Sequence, residues 1–191
     1  MDSSHDQHPN DEHASASATV AALVAATVRD VPDWPSPGIG FKDIAPLLAD
    51  PAAFSAVVAE LSRAARASGA TAVAGIEARG FMLAAPVAER CGLPFLPVRK
   101  AGKMPPPVLH REYELEYGTA AVELRSDLVG AGDRVFVVDD VLATGGTAEA
   151  ACALVAEAGA SVAQVAVLME LRALGGRAKL PGLDVLALLT V

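Results

Sequence analysis

The chain has 191 residues, 52% hydrophobic and 20% charged, with a formal net charge of −8. That length suits one domain with a sizeable core, and the acidic balance argues against nucleic acid as the main partner. No apolar run reaches membrane-spanning length and no signal peptide is visible. Cys91 and Cys152, the only cysteines, read as small buried thiols rather than a disulfide or a metal site. A reduced, cytoplasmic setting without a membrane partner is therefore predicted.

In chain order, residues 1–17 are polar and acidic and are predicted to be a disordered tail. They carry His5, His8 and His13 at a spacing that fits no metal pattern. Residues 18–191 are predicted to form a single domain. A helix is expected from about Ala18 to Asp30, with Val20, Leu23, Val24, Thr27 and Val28 at helical spacing. The prolines of Val31–Gly38 then force an extended turn; in Ile39–Pro46, Phe41 and Ile44 read as ordinary packing and Lys42 as a solvated charge. Asp50-Pro51 is a good helix start, with Asp as N-cap and Pro at N1. That helix should run to about Ser68, with Gly69 ending it.

Thr71–Ile76 reads as a short apolar strand, and Gly75–Gly80 as the turn after it. Phe81–Arg90 reads as a helix with Arg79 at its mouth. An arginine there suits a second anion site; pairing between Arg79 and Glu77 is the alternative. Leu93–Val98 is a further strand, followed by Arg99, Lys100 and Lys103. In an acidic chain this basic knot complements a diphosphate. Met104–Gly118 reads as a charged loop, a candidate lid, with an ordinary solvated hairpin as the alternative. Gly118–Leu124 is a strand, and Asp127–Asp133 turns into the next.

The densest chemistry follows in Arg134–Thr147, RVFVVDDVLATGGT. Arg134–Val138 has the valine-rich signature of a strand buried on both faces. Asp139 and Asp140 come next, then the turn Ala143-Thr144-Gly145-Gly146-Thr147, then an alanine-rich helix from about Ala148 to Ala158, stopped by Gly159. A small-residue turn opening a helix aims backbone N–H groups and the positive end of the helix dipole at one spot. Thr144 and Thr147 add hydroxyl donors, so the turn suits a phosphate monoester. It is neither a Walker A loop nor a dinucleotide fingerprint. Two carboxylates beside such a cradle would repel a bare polyphosphate, yet they can accept hydrogen bonds from sugar hydroxyls or stabilise a cation. A ribose 5-phosphate fits both halves. Turn-capping by Asp139 and Asp140 explains the pieces singly but not their combination.

Val162–Met169 and Asp184–Val191 are the last predicted strands, joined by a basic, glycine-containing connection at Leu171–Leu180. Alternating strands and helices with short links predict an α/β fold, a mostly parallel sheet flanked by helices. The loops after Ile76, Val98 and Val138 would then meet at the carboxyl ends of the strands, where such sheets bind ligands.

Taken together, five segments resemble the type I phosphoribosyltransferase family, and within it the branch that uses adenine. They are Pro37–Ile44 (PGIGFKDI), Glu77–Phe81 (EARGF), Val98–Pro105 (VRKAGKMP), Tyr113–Gly118 (YELEYG) and Val137–Thr147 (VVDDVLATGGT). The likeness spans about Trp34 to Leu189. It implies a five-stranded parallel core with a small N-terminal hood from about residues 31–46. It also implies Mg²⁺-dependent pentosyl transfer from 5-phosphoribosyl-1-pyrophosphate (PRPP) to adenine, giving AMP and pyrophosphate in purine salvage. By motif position, Ile39, Gly40, Phe41 and Lys42 would bind adenine, with Phe41 stacking on the base. Arg79, Arg99, Lys100 and Lys103 would hold the diphosphate, and Asp139 and Asp140 the ribose hydroxyls. Ala143, Thr144, Gly145, Gly146 and Thr147 would take the 5-phosphate. Tyr113 and Tyr117 would belong to the lid, in which Glu116 would manage the adenine proton. Mg²⁺ would be held mainly through PRPP, and the basic segment around Arg99 would reach a neighbouring subunit in a homodimer. A cis peptide would fall at Glu77–Ala78. Two alternatives stay open: another purine base as acceptor, and a regulator that binds PRPP without turnover. The acidic balance and the lid with Glu116 weigh against the second.

Overall fold

The fold was obtained as a computed structural model, which describes residues 9–114 and 118–191, with side chains from Ser17 onwards. The chain divides into two compact units, Met1–Glu60 and Leu61–Val191.

The first unit begins with helix α1, Pro9–Thr27. It starts well before the expected Ala18, through residues assigned above to a disordered tail, because alanine recurs at positions 14, 16 and 18 and propagates a helix at little entropic cost. It also stops short of Asp30: Arg29–Val31 is strand β1, paired antiparallel with β2, Phe41–Asp43. The 31–46 segment is therefore partly a two-stranded ribbon, its turn closed by Trp34 N donating to Ile39 O (3.1 Å) and Gly38 N to Asp33 Oδ1 (2.7 Å). A short helix α2, Ala45–Ala49, follows. Helix α3, Pro51–Ala67, starts as the sequence indicates: Asp50 Oδ1 accepts from Ala52 N at 2.9 Å and Ala53 N at 3.1 Å.

The second unit is a seven-stranded sheet rather than the expected five. Its strands are β3 (Ala72–Ile76), β4 (Phe95–Lys100), β5 (Val108–Glu114), β6 (Thr119–Arg125), β7 (Arg134–Leu142), β8 (Ser161–Glu170) and β9 (Val185–Thr190), in the spatial order β5-β6-β4-β3-β7-β8-β9. The run β4-β3-β7-β8-β9 is parallel, which is the expected five-stranded core. The two further strands, β5 and β6, extend it antiparallel. The polar stretch HREYE, expected as a charged loop with a solvated hairpin as the alternative, forms most of β5 and pairs antiparallel with β6 as that hairpin. An edge strand with solvent on one side needs only the backbone ladder to β6 and intermittent apolar contacts, here from Leu109 and Tyr113, which pack on the core. Strand β7 also runs on through the acidic pair to Leu142, paired with β8 at Asp139↔Val167 and Val141↔Met169.

Helix α4 (Arg79–Cys91) and helix α5 (Gly146–Glu157) cover opposite faces of the sheet. The alternation of β3 assigns them. Ala72, Ala74 and Ile76 join the core cluster that holds Ala151, Leu154 and Val155 of α5. Gly75 points the other way, where a Cβ would lie 2.7 Å from Ala84 Cβ of α4. Every residue of β3 is buried, as a central strand covered on both faces requires. Helix α5 ends as expected, with Gly159 at φ +88° and Ala160 N donating to Val155 O at 3.1 Å.

Candidate active site

In the register of β4, β3 and β7, Ile76 pairs with Val98 and Gly75 with Val138. Their carboxyl ends therefore lie side by side, and the three loops singled out in the sequence leave from one edge of the sheet.

The loop after β7 forms the cradle. Gly145 is the N-cap of α5 in the left-handed conformation (φ +85°), and no side chain caps this end. The first amides of α5 have no acceptor within the helix, and with the helix dipole they provide for an anion. A cavity of about 60 Å³ sits there, lined by Asp139 and residues 141–148. All five expected phosphate residues, Ala143 to Thr147, line it. Thr144 is exposed and Thr147 half-buried, and both line the cavity.

The loop after β3 meets the acidic pair. The Glu77–Ala78 peptide is cis, as the resemblance implies. Gly80 packs directly on β7, where a Cβ would lie 2.7 Å from Val138 O and 3.0 Å from Asp139 Oδ1. That closeness carries Arg79 to Asp140, with Nε 2.9 Å from Oδ2. The contact is charge against charge rather than an aligned hydrogen bond. Arg79 thus meets Asp140, where the sequence suggests Glu77 as its carboxylate partner. Asp140 is 3% exposed, and its amide donates to Asp139 Oδ1 at 2.9 Å. Burial and the neighbouring Asp140 charge push the Asp139 carboxyl well above the usual range. Burial raises Asp140 too, opposed chiefly by Arg79.

Glu77 takes the basic knot instead. Its carboxylate accepts from Lys103 Nζ at 2.8 Å and from the Lys100 amide at 2.9 Å, and lies 3.5 Å from Arg99 Nε. The Lys103 hydrogen bond, the largest influence, holds Glu77 below its ordinary value. Glu123 of β6 adds a second tether, accepting from Gly102 N at 3.1 Å. The spacing of the sequence did not single out Glu77 or Glu123 as holders of this loop.

The base of the expected lid abuts the cradle. A Cβ on Gly146 would lie 3.2 Å from Glu114 O and 3.4 Å from Tyr113 Cδ2. Tyr113 is half-buried beside α5, whereas Glu116 and Tyr117 lie outside the described residues. Lys179, from the basic connection, also reaches this corner and stands 3.8 Å from Glu149. Of the residues expected to bind the base, Ile39 and Gly40 precede β2 in the first unit, and Phe41 and Lys42 lie within it. Phe41 is half-buried, and Lys42 forms an ion pair with Asp30, its partner in the ribbon.

A parallel sheet whose edge carries this acidic pair and helix-capped anion cradle defines a phosphoribosyltransferase. Consistent with that class, residues 47–180 match the family model described as a phosphoribosyl transferase domain. An adenine phosphoribosyltransferase of Kineococcus radiotolerans is 68% identical over 171 residues, covering 90% of this chain and 92% of that protein. One from Streptomyces coelicolor is 58% identical over 176 residues, 90% and 97%. The crystal structure of adenine phosphoribosyltransferase from Thermoanaerobacter pseudethanolicus superposes with a TM-score of 0.86 at 44% identity, covering 90% of this chain and 99% of that one. The chain belongs to the adenine phosphoribosyltransferase family.

Proposed function

We infer that this chain transfers the 5-phosphoribosyl group of PRPP to adenine, giving AMP and pyrophosphate in purine salvage. The observation that carries this is the cavity lined by Ala143–Thr147 at the start of a helix, directly downstream of the Asp139–Asp140 pair, with Arg79 held against Asp140. Family membership supports adenine as the acceptor. The yeast adenine phosphoribosyltransferase, solved with adenine and an imino-altritol bisphosphate, is 35% identical to this chain at a TM-score of 0.83.

The proposed roles follow from charge. The 5-phosphate sits on the amides and hydroxyls of Ala143–Thr147, and Asp139 and Asp140 take the ribose hydroxyls. As the C1–O bond to pyrophosphate breaks and adenine N9 bonds to C1, positive charge grows on the sugar beside the two carboxylates. Negative charge grows on the departing diphosphate, which Arg79, Arg99, Lys100 and Lys103 receive. Arg79 rests on Asp140, and Arg99 and Lys103 on Glu77, so these three exchange one anionic partner for another. The N9 proton passes to Glu116. Ile39, Gly40, Phe41 and Lys42 are assigned to adenine by the resemblance, with Phe41 stacking on the base.

Two adjacent carboxylates, one engaged by Arg79, suit water-mediated rather than direct contact with Mg²⁺. The ion would ride on PRPP oxygens and supply neutralisation of the leaving group. A homodimer, with the Arg99 segment reaching the neighbouring subunit, and a cytoplasmic location complete the reading. The test is formation of AMP from adenine, PRPP and Mg²⁺, with hypoxanthine and xanthine as competitors. Absence of AMP, or preferred use of another base, contradicts it.

A further inference from the structure

Two 3₁₀ turns, Arg172–Leu174 and Gly176–Lys179, carry the chain from β8 to β9. Leu171 N donates to Leu142 O at 2.9 Å, which lays this connection alongside the start of the phosphate loop. The two backbones touch. A Cβ built on Gly176 would lie 2.2 Å from Ala143 O and 2.9 Å from Gly145 N, and one on Gly145 would lie 2.3 Å from Gly176 O. Gly176 has no left-handed φ, so space alone keeps a side chain out.

The connection is pinned from behind by Arg177. Its Nε and Nη2 donate to the two carboxylate oxygens of Glu170 at 3.0 and 2.5 Å, and its Nη1 donates to Val185 O at 2.8 Å. One guanidinium fork thereby ties the turn to the end of β8 and the start of β9. Glu170 is 7% exposed while the Arg177 side chain is 48% exposed, so the guanidinium lies over a buried carboxylate with one side open to solvent.

We propose that Gly176 and Arg177 are positioning residues for the 5-phosphate. Arg177 fixes the β8–β9 connection, and the bare backbone at Gly176 is the floor that holds Ala143–Gly145 in the shape presenting its amides. The inference rests on the phosphoribosyl-transfer reading above. A methyl group on Gly176 demands that something move by about 1 Å to restore ordinary contact. With the connection pinned, the phosphate loop is the part that moves. The 5-phosphate is remote from the bond being broken and is held equally before and during reaction. Its loss therefore shows in KM for PRPP rather than in kcat.

Steady-state kinetics and calorimetry with ribose 5-phosphate on the full chain test this. Gly176→Ala is expected to raise KM for PRPP and weaken ribose 5-phosphate binding by at least about tenfold, with kcat within about threefold of the parent. Arg177→Lys keeps the charge beside Glu170 but not the fork. It should give a smaller rise with the same split, and it carries the test if Gly176→Ala does not fold. Values of KM and affinity within about twofold of the parent in the folded variants overturn the proposal, as does a fall in kcat with KM unchanged. If the parent chain makes no AMP, the activity reading fails, while the ribose 5-phosphate affinities still decide the positioning role.

Discussion

Replacing Asp140 by asparagine separates charge from shape at the centre of the site. The Asp140 side chain is 5% exposed and lies 2.9 Å from Arg79 Nε. At that distance and an effective dielectric constant of about 20, the gross attraction is about 6 kcal/mol, most of it offset by the cost of burying the carboxylate. The substitution also removes the repulsion that, with burial, raises Asp139. The fold should therefore survive, with a small change in melting temperature. Turnover should not survive equally well. Asp140 would be one of two preoriented negative groups beside the developing oxocarbenium charge, and removing one such group costs about 3–4 kcal/mol, or 10²–10³ in kcat. The assay is the initial rate of AMP formation at saturating adenine and PRPP, with circular dichroism to verify folding. A folded Asp140→Asn variant with kcat within about threefold of the parent refutes the reasoning.

Further outcomes follow from the same geometry. Asp139 has a raised carboxyl pKa, so its favourable contribution to stability is present at pH below its unfolded value and is lost as pH rises through the folded value. Asp139→Asn should therefore melt higher than the parent at pH 8, with the advantage vanishing near pH 4 (about the ordinary carboxylate value); no gain at pH 8 contradicts this. Gly80→Ala puts a methyl 2.7 Å from Val138 O. It should cost about 1–3 kcal/mol and lower the melting temperature by about 2–10 °C, and it should displace Arg79 and reduce kcat/KM as well. Unchanged melting and kinetics would count against the close packing of the two loops. Burial pushes the Cys152 thiol up to about 12, whereas Cys91 is half-buried. Iodoacetamide on the native protein should label Cys91 first and reach Cys152 only in denaturant; equal labelling rates contradict the placement of α5.

The phosphate cradle was legible because its elements are adjacent in the chain: valines for a buried strand, a small-residue turn, an alanine-rich helix. The strand's extension through Asp139–Leu142 was not, since two acids interrupt the apolar run and only pairing with β8 keeps the backbone extended. Strand β5 was hidden for a related reason, its residues reading as solvated charge while its backbone is held by β6. The pairing of Arg79 with Asp140 depends on strand order, which brings β3 beside β7, and on Gly80 letting them touch. Local sequence offers Glu77 as the carboxylate partner, because Asp140 lies far along the chain. The same limit applies to Gly176, whose need for a bare backbone is set by Ala143 and Gly145 in a distant part of the chain.

The central claim is spatial: one edge of the sheet grips an activated sugar, with anions at its ring and cations around its leaving group. A crystal structure with ribose 5-phosphate and pyrophosphate tests it most directly. The 5-phosphate is expected on the amides of Ala143–Thr147, the ribose hydroxyls on Asp139 and Asp140, and the pyrophosphate beside Arg79 and Lys103. A phosphate bound away from residues 143–147, or a ribose making no contact with either aspartate, would contradict it.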